Sequence, residues 1–514
     1  MEPVEPPTAP PDLNLLNLTH EQQIALDAVV AGKSVVVAGS AGSGKSHWIH
    51  AVKTRCPWAV ITATTGLAAV NVCGVTIHKF ANVGIADPGP HATATDERGA
   101  FVATAVQHLK KRIRSDVKQT IRTSLLLVIE ECSMLSEYMY ELLDSLFRWI
   151  RREPRKPWGG LQLVFVGDMR QLAPVAKSRD HPMMGRFFFE SPTFDATFKG
   201  GVHVFTKIFR QEEAVLRDLL NRVAVGRITA ADAQALQARV LGPSLQAPPT
   251  ATRLFGTKDT VDTYNSIYLG QLTAPLHTYD MKVTKGEGAT DSLSEWAIKN
   301  CIVEKHVTVA EGALVMLLWN IAPGFANGTV GYVVGYTPDG FPLFQPSASY
   351  EQPDLKSCHN VITVRPARWE VVDHTLGTVY MDQVPLKLAY ALTIHKAQGI
   401  QLSEAVLTLD RSNCFADGQA YVALSRITTL EGMYLTRFDP RAIRASPAAV
   451  AFYEKYGPIA AARTAAAAAA DPDWATRDAV AAGAAADAAE AEANLPPPPP
   501  YTPRGHAVPE PLAT

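Results

Sequence analysis

The sequence predicts an α/β protein of two doubly wound parallel-sheet domains, the second interrupted by a small β-barrel. Three observations carry this. A glycine-rich loop, Gly39 to Ser46, stands between a β-branched strand and a helix start. Two more apolar strands end in carboxylates, at Glu130-Glu131 and at Asp168. A second alternation of strand and helix follows residue 210, broken between about residues 272 and 383 by short β segments with Gly, Pro and Asn turns. With 514 residues, of which 47% are hydrophobic, the chain is too long for one core and can bury several.

Residues 1–12 are proline-rich and are expected to be disordered. A helix from Glu21 to Val30 follows, with Thr19 as its N-cap. The run Ser34-Val35-Val36-Val37-Ala38 reads as a buried parallel strand, and the next eight residues fit the pattern G-x-x-x-x-G-K-[ST] at every fixed position. In such a loop the backbone of Gly39, Ser40, Ala41, Gly42, Ser43 and Gly44 curls round phosphates. The helix dipole adds positive potential, Lys45 reaches the β and γ phosphates, and Ser46 sets its hydroxyl on Mg²⁺. Val60-Ile61-Thr62-Ala63 is a further strand.

Residues 87–124 are polar and read as an inserted, partly helical element. Its basic run Lys110-Lys111-Arg112-Ile113-Arg114 fits a solvated helix face and a DNA contact equally. Leu125-Leu126-Leu127-Val128-Ile129 leads into Glu130-Glu131, and Leu161 to Val166 leads into Gly167-Asp168. Carboxylates at the C-terminal ends of parallel strands are where an open α/β sheet builds its site. The first domain thus covers residues 13–205. The second, residues 206–456, contains a helix over residues 212–225 and strands at Thr252-Arg253-Leu254-Phe255, at Ala389-Tyr390-Ala391-Leu392-Thr393 and at Ala405 to Leu409. It has no phosphate loop, so one nucleotide between two similar domains is the economical arrangement. Residues 457–514, rich in Ala and Pro, read as a disordered tail with scope for an alanine-rich helix.

Composition excludes some classes and leaves others open. Six scattered cysteines without a C-x-x-C pair indicate neither a zinc ribbon nor a disulfide scaffold and suit a reducing compartment. No apolar run approaches a membrane span and the acidic, proline-rich start is unlike a leader, so a soluble intracellular protein is expected. The net charge of −2 hides a split: from Gly457 onward seven acids face three bases, a net −4, which leaves +2 for the rest. Such a body can bind a nucleic-acid strand through a local basic groove.

Hydrolysis of a phosphoanhydride needs a metal ligand, a group to activate water and positive charge at the transition state. Glu130 stands where a metal-linked acid belongs, Glu131 can orient and deprotonate water, and Gln171 can bond the γ-phosphate or that water. Asp168 can cap the turn that holds Gln171.

These residues also resemble a known family. Thr19-His20-Glu21-Gln22, the phosphate loop, Thr64-Thr65-Gly66-Leu67-Ala68-Ala69, Gly74 to Phe80, Glu131-Cys132-Ser133-Met134 and Gly167 to Val175 follow one another as in the petite-integration-frequency (PIF) type of superfamily 1 DNA helicase. So do Ile208-Phe209-Arg210-Gln211, Gly312 to Leu317, Asn327 to Gly331, Pro385 to Gly399 and Gly418 to Arg426 in the second half. The resemblance runs from about Leu18 to Tyr456. It implies two RecA-like domains of the P-loop NTPase fold, a Src-homology-3-like barrel as the insertion, and an ATP-Mg²⁺ site in the cleft. It further implies 5′-to-3′ movement on single-stranded DNA with unwinding of forked duplex, in replication, recombination or repair, and a monomer.

Position by position, the resemblance makes Gln22 the adenine reader, Lys45 and Ser46 the phosphate and metal holders, Glu131 the water activator and Gln171 the γ-phosphate sensor. Arg210 and Arg426 would be arginine fingers from the second domain. DNA contacts fall on Thr64, Thr65, Gly66 and His78, and on Thr393, His395 and Lys396; Asn327-Gly328 is most simply a hairpin turn. The chain departs from the family at Glu130, where Asp is usual, at Gln401, where Thr is common, and at Ala173, which replaces a common proline. Two other readings remain at this point. A RecD-like or conjugative-relaxase motor would fit the Ala389 to Gly399 run less well. A non-hydrolysing nucleic-acid-binding scaffold is opposed by the intact Lys45, Glu131, Gln171, Arg210 and Arg426.

Overall fold

The computed structural model describes residues 18–470 except 73, 84–96, 175–180, 210–212, 249–250, 287–288, 302, 320, 323–324, 326–328, 347–360, 374–376 and 399. Expectations for residues 1–12, Arg210, Asn327-Gly328 and residues 471–514 lie outside the described residues.

Six strands make the first sheet: β1 (Val35–Gly39), β2 (Val60–Ala63), β3 (Val75–Thr76), β4 (Leu126–Glu130), β5 (Gln162–Gly167) and β6 (Val202–Phe205). They pair in the order β3-β2-β4-β5-β1-β6, every pair parallel. A parallel strand covered on both faces should be apolar throughout, and β1 and β4 are fully buried. Their alternate residues feed two cores. Val35 and Val37 pack beneath the helices His20–Val30 and Lys45–Arg55, whereas Val36 and Ala38 join the larger cluster with the helices Arg98–Arg112 and Glu137–Arg151.

The polar insertion forms two helices, Arg98–Arg112 and Ser115–Thr123. From its basic face, the Lys110 and Lys118 ammonium groups lie over the Trp149 ring at 5.5 and 5.1 Å from its centroid.

The second parallel sheet is smaller. Between its first strand β7 (Thr252–Phe255) and the rest come β8 (His277–Asp280), β9 (Lys282–Lys285), β10 (His306–Val309), β11 (Leu314–Leu317), β12 (Val330–Tyr336) and β13 (Pro342–Pro346). These are followed by β14 (Ile362–Thr363), β15 (Ala367–Asp373), β16 (Gly377–Gln383) and β17 (Leu386–Leu388). The sheet then resumes with β18 (Ala391–Thr393), β19 (Ala405–Leu409) and β20 (Met433–Phe438), in the order β18-β7-β19-β20. Among the described residues the insertion pairs as three antiparallel sheets, β14-β13-β12-β11-β17, β15-β16-β9 and β10-β8, around one core that includes Val315, Phe344 and Met381.

The strand expected over residues 389–393 is shorter, because the chain changes sheets there. Leu386–Leu388 pairs with β11, and the Asn265 amide then takes the Ala391 N–H at 2.9 Å and bonds the Ala391 carbonyl at 3.2 Å.

One boundary is corrected. The chain does not lose structure at Gly457; a helix runs Pro447–Ala470, through Pro458. Its cause is packing back onto the first sheet. Ala449, Phe452 and Tyr456 enter that core, with the Phe452 ring 4.7 Å from Phe189. Tyr456 donates to Asp195 at 2.6 Å, and Arg463 donates to the carbonyls of Val202 and Gly200 at 3.1 and 2.7 Å. The cysteines Cys56, Cys132 and Cys414 are free. No helix among the described residues is long and apolar enough to cross a membrane.

Candidate nucleotide site and strand-end contacts

The loop after β1 is shaped by its glycines. A Cβ on Gly39 would stand 2.5 Å from Ser43 Oγ, and Gly44 takes φ +77, which L side chains avoid. The helix Lys45–Arg55 begins there without a side-chain cap, leaving its first N–H groups for an anion. Lys45 Nζ donates to the Gly39 and Ser40 carbonyls at 2.9 Å each. Gln22 lies buried behind the loop. Its Oε1 accepts from Thr19 N–H at 3.0 Å and its Nε2 donates to Ser43 O at 3.2 Å, so the helix cap and the loop share one amide.

Across from the loop, β4 delivers the acids. Ser46 Oγ donates to Glu130 Oε1 at 3.2 Å. Glu130 is 8% exposed and its Oε2 has no partner; burial, then the charge of Glu131, push its carboxyl up to about 8. Glu131 sits in the left-handed region at φ 52, held by Thr64, whose Oγ1 donates to the Glu131 carbonyl at 2.8 Å. Glu131 Oε2 accepts from Gln398 Nε2 at 3.1 Å, a contact between the two halves of the chain.

Two more buried atoms near the loop lack partners, Ser43 Oγ and Gln171 Oε1. Unsatisfied buried polar atoms are uncommon, and their convergence here with an unpaired carboxylate oxygen fits a polar ligand. A hydroxyl beside a carboxylate is a donor set for a hard divalent cation. Among the described residues no group of three or more His, Cys, Asp or Glu could hold a metal by itself.

Asp168, fully buried, gathers four groups from three segments. Tyr421 OH donates to it at 2.8 Å, Tyr453 OH at 3.0 Å, Arg170 N–H at 3.2 Å and Gln171 Nε2 at 3.5 Å. Burial works to raise this carboxyl, but Arg170, then Lys45 and the Tyr421 bond, hold it below the ordinary range. Arg170 stacks on the Tyr453 ring at 4.1 Å and donates to Ser40 Oγ at 2.6 Å. The Tyr421 hydroxyl also accepts from Ala41 N–H at 3.2 Å. Arg170, Gln398, Tyr421 and Tyr453 were not among the residues expected from sequence. The first three lie inside the family-like runs, but nothing in the residue pattern marks Tyr453.

The remaining expected residues divide between two places. Arg426, 2% exposed, bonds Val422 O at 3.0 Å and Ser425 Oγ at 2.8 Å, one turn after Tyr421. Thr64, Thr65 and Gly66 follow the C-terminal end of β2; Thr65 Oγ1 caps the turn by accepting from Ala68 N–H, and a Cβ on Gly66 would meet open space. His78 lies on the helix Ile77–Ala81, and burial lowers its pKa. Thr393 ends β18 and accepts from Lys396 N–H at 3.2 Å; burial lowers the pKa of His395. Lys396 is exposed as a residue, yet desolvation of its ammonium, then the charge of Lys387, press it down to about 8.

Residues 17–221 match the family model described as PIF1-like helicase. Over 441 residues the chain is 33% identical to the ATP-dependent DNA helicase PIF1 of Homo sapiens, an alignment covering 85% of this chain and 63% of that protein. Along 85% of its length the chain is similar to the PIF1 helicases. A second PIF1 relative, from Xenopus laevis, is 31% identical over 87% of this chain and 66% of its own length. The chain therefore spans just under two thirds of these relatives. Among solved structures, a Pif1 helicase from Candida albicans superposes with a TM-score of 0.70 at 28% identity, covering 85% of this chain and 99% of the other. Bacteroides sp Pif1 in complex with ADP-AlF4 gives 0.67 at 25% identity, over 86% and 97% of the two chains. The two parallel sheets of this PIF1-like chain are thus the RecA-like pair of that fold.

Proposed function

We propose that this PIF1-like chain is an ATP-dependent DNA helicase that moves 5′-to-3′ along single-stranded DNA and unwinds duplex ahead of it. The observation that carries the reading is the Gln398–Glu131 bond of 3.1 Å, which completes an acid at the phosphate loop with a side chain from the other half. A site shared by two domains can couple chemistry to their movement. In this reading residues 13–205 and 206–456 are the two motor domains, the second carrying the β insertion as a Src-homology-3-like barrel, with the helix Pro447–Ala470 as an extension of the second onto the first.

Lys45 and the N–H groups of residues 39–46 bind the phosphates of ATP, and Gln22 reads adenine. Ser46 and Glu130 would hold Mg²⁺, which when bound neutralises charge developing on the phosphates. Glu131 orients water and takes its proton, Gln171 meets the γ-phosphate, and Arg426 and Arg210 bring positive charge from the second domain. Thr64, Thr65, Gly66, His78, Thr393, His395 and Lys396, at strand ends in both halves, meet the DNA backbone irrespective of sequence. Relatives support the substrates by name: one Pif1 structure is bound to ssDNA and another concerns unwinding at forked dsDNA.

The test is ATP hydrolysis with and without single-stranded DNA. DNA should stimulate the wild type, Lys45→Ala should abolish turnover, and Glu131→Gln should lower kcat by about 10²- to 10⁴-fold. A wild type that is inert, or indifferent to DNA, would overturn the proposal. Direction is read with tailed duplexes, of which the 5′-tailed one should be unwound.

A further inference from the structure

Asp168 and the two tyrosines bonded to it have no part in the chemistry above, yet one of them touches the loop. The Tyr421 hydroxyl has a single proton and donates it to Asp168 Oδ2 at 2.8 Å, so towards Ala41 N–H, 3.2 Å away, it is an acceptor. Burial, then the Asp168 charge, keep that phenol protonated and so keep it the donor to Asp168. Ala41 lies in the middle of the loop whose N–H groups face phosphate in the nucleotide reading. One N–H cannot make a short, straight bond to a hydroxyl and a phosphate oxygen at once.

We infer that the Tyr421 hydroxyl and a nucleotide phosphate compete for the Ala41 N–H, so that filling the loop releases the helix Gln419–Leu424 from it. The inference rests on the nucleotide reading of the loop. Geometry makes the contact specific. Gly418, at the N-cap of that helix with φ +77, sits so close to the turn after β5 that a Cβ would lie 2.7 Å from the Arg170 and Gln171 carbonyl oxygens. Gly418 thus seats the helix, and Tyr421 projects from its first turn to the loop. Arg426 follows two residues beyond the helix end and bonds back to Val422, so release at Tyr421 is felt by the segment holding that guanidinium. Tyr421 is thereby a positioning residue that reports occupancy of the loop to the second half.

The competition predicts an unusual sign. Removing the hydroxyl removes a competitor, so Tyr421→Phe should bind nucleotide about three- to tenfold more tightly, the effect of one net hydrogen bond. The measurement is the Kd of a fluorescent ADP analogue for the wild type, Tyr421→Phe and Tyr453→Phe, with melting curves for each. Tyr453→Phe removes a donor from the same carboxylate without touching Ala41 and should lower the melting point while leaving the Kd unchanged. Unchanged or weaker binding by folded Tyr421→Phe overturns the inference, as does equal tightening in both variants. A wild type that binds no nucleotide overturns the underlying nucleotide reading instead. Should Tyr421→Phe fail to fold, amide exchange over residues 419–424 of the wild type decides: faster exchange with ADP supports release, and equal or slower exchange overturns it.

Discussion

Glu130 is the residue at which this chain departs from the aspartate usual in the helicases it resembles, and its surroundings give the departure a measurable form. Burial and the neighbouring Glu131 raise its carboxyl from 4.5 to about 8. A carboxyl that binds its proton more tightly in the folded chain favours folding most in acid, and that contribution is lost as pH rises from about 4.5 through 8. Glu130→Gln should therefore melt higher than wild type at pH 8.5, by roughly 1–3 kcal/mol, with the gap closing at pH 5. Adding Mg²⁺ should narrow it at pH 8.5 by favouring the ionised wild-type carboxyl; melting curves at both pH values read this. The chemistry-bearing residues near the loop were legible in sequence because Lys45, Ser46, Glu130 and Glu131 each stand at a strand end or helix start, where local pattern fixes position. Tyr421 and Tyr453 were not, because the partner that gives them meaning, Asp168, is 253 and 285 residues away.

Among elements, the β-branched and leucine runs disclosed their strands, since a strand buried on both faces leaves no polar interruption to misread. Helix Pro447–Ala470 was harder. Its later turns are alanine-rich, and composition alone cannot separate a docked helix from a tail. What docks it is a short aromatic set, Phe452, Tyr453 and Tyr456, against Phe189, Phe194, Asp168 and Asp195. Burying such rings contributes several kcal/mol, about 3–5 for a buried Phe cut to Ala. A chain ending at Ser446 should bind a hydrophobic dye and melt well below the full chain, and Phe452→Ala should fall between the two; dye fluorescence and melting curves check both.

At the scale of the molecule, the halves meet through the packed helix Pro447–Ala470 and through polar bonds, among them Gln398–Glu131, Tyr421–Asp168 and Tyr421–Ala41 at the loop. Bonds to a charged group contribute more than neutral ones, yet a handful can exchange without unfolding either half. Gln398→Ala should lower DNA-stimulated kcat about tenfold while leaving the Kd for nucleotide within about twofold, since it frees Glu131 without touching the phosphate-binding N–H groups. Steady-state kinetics beside nucleotide titration separates the two.

The closing helix has a bearing on how the chain is made. The first sheet ends with β6 at Phe205, but the helix that covers its aromatic flank begins at Pro447. At roughly 5–20 residues per second, a ribosome needs on the order of tens of seconds to supply that cover. During that interval the nascent chain has Phe189 and Phe194 without the cover of Phe452, so chains stalled before Pro447 are expected to aggregate more readily than completed ones.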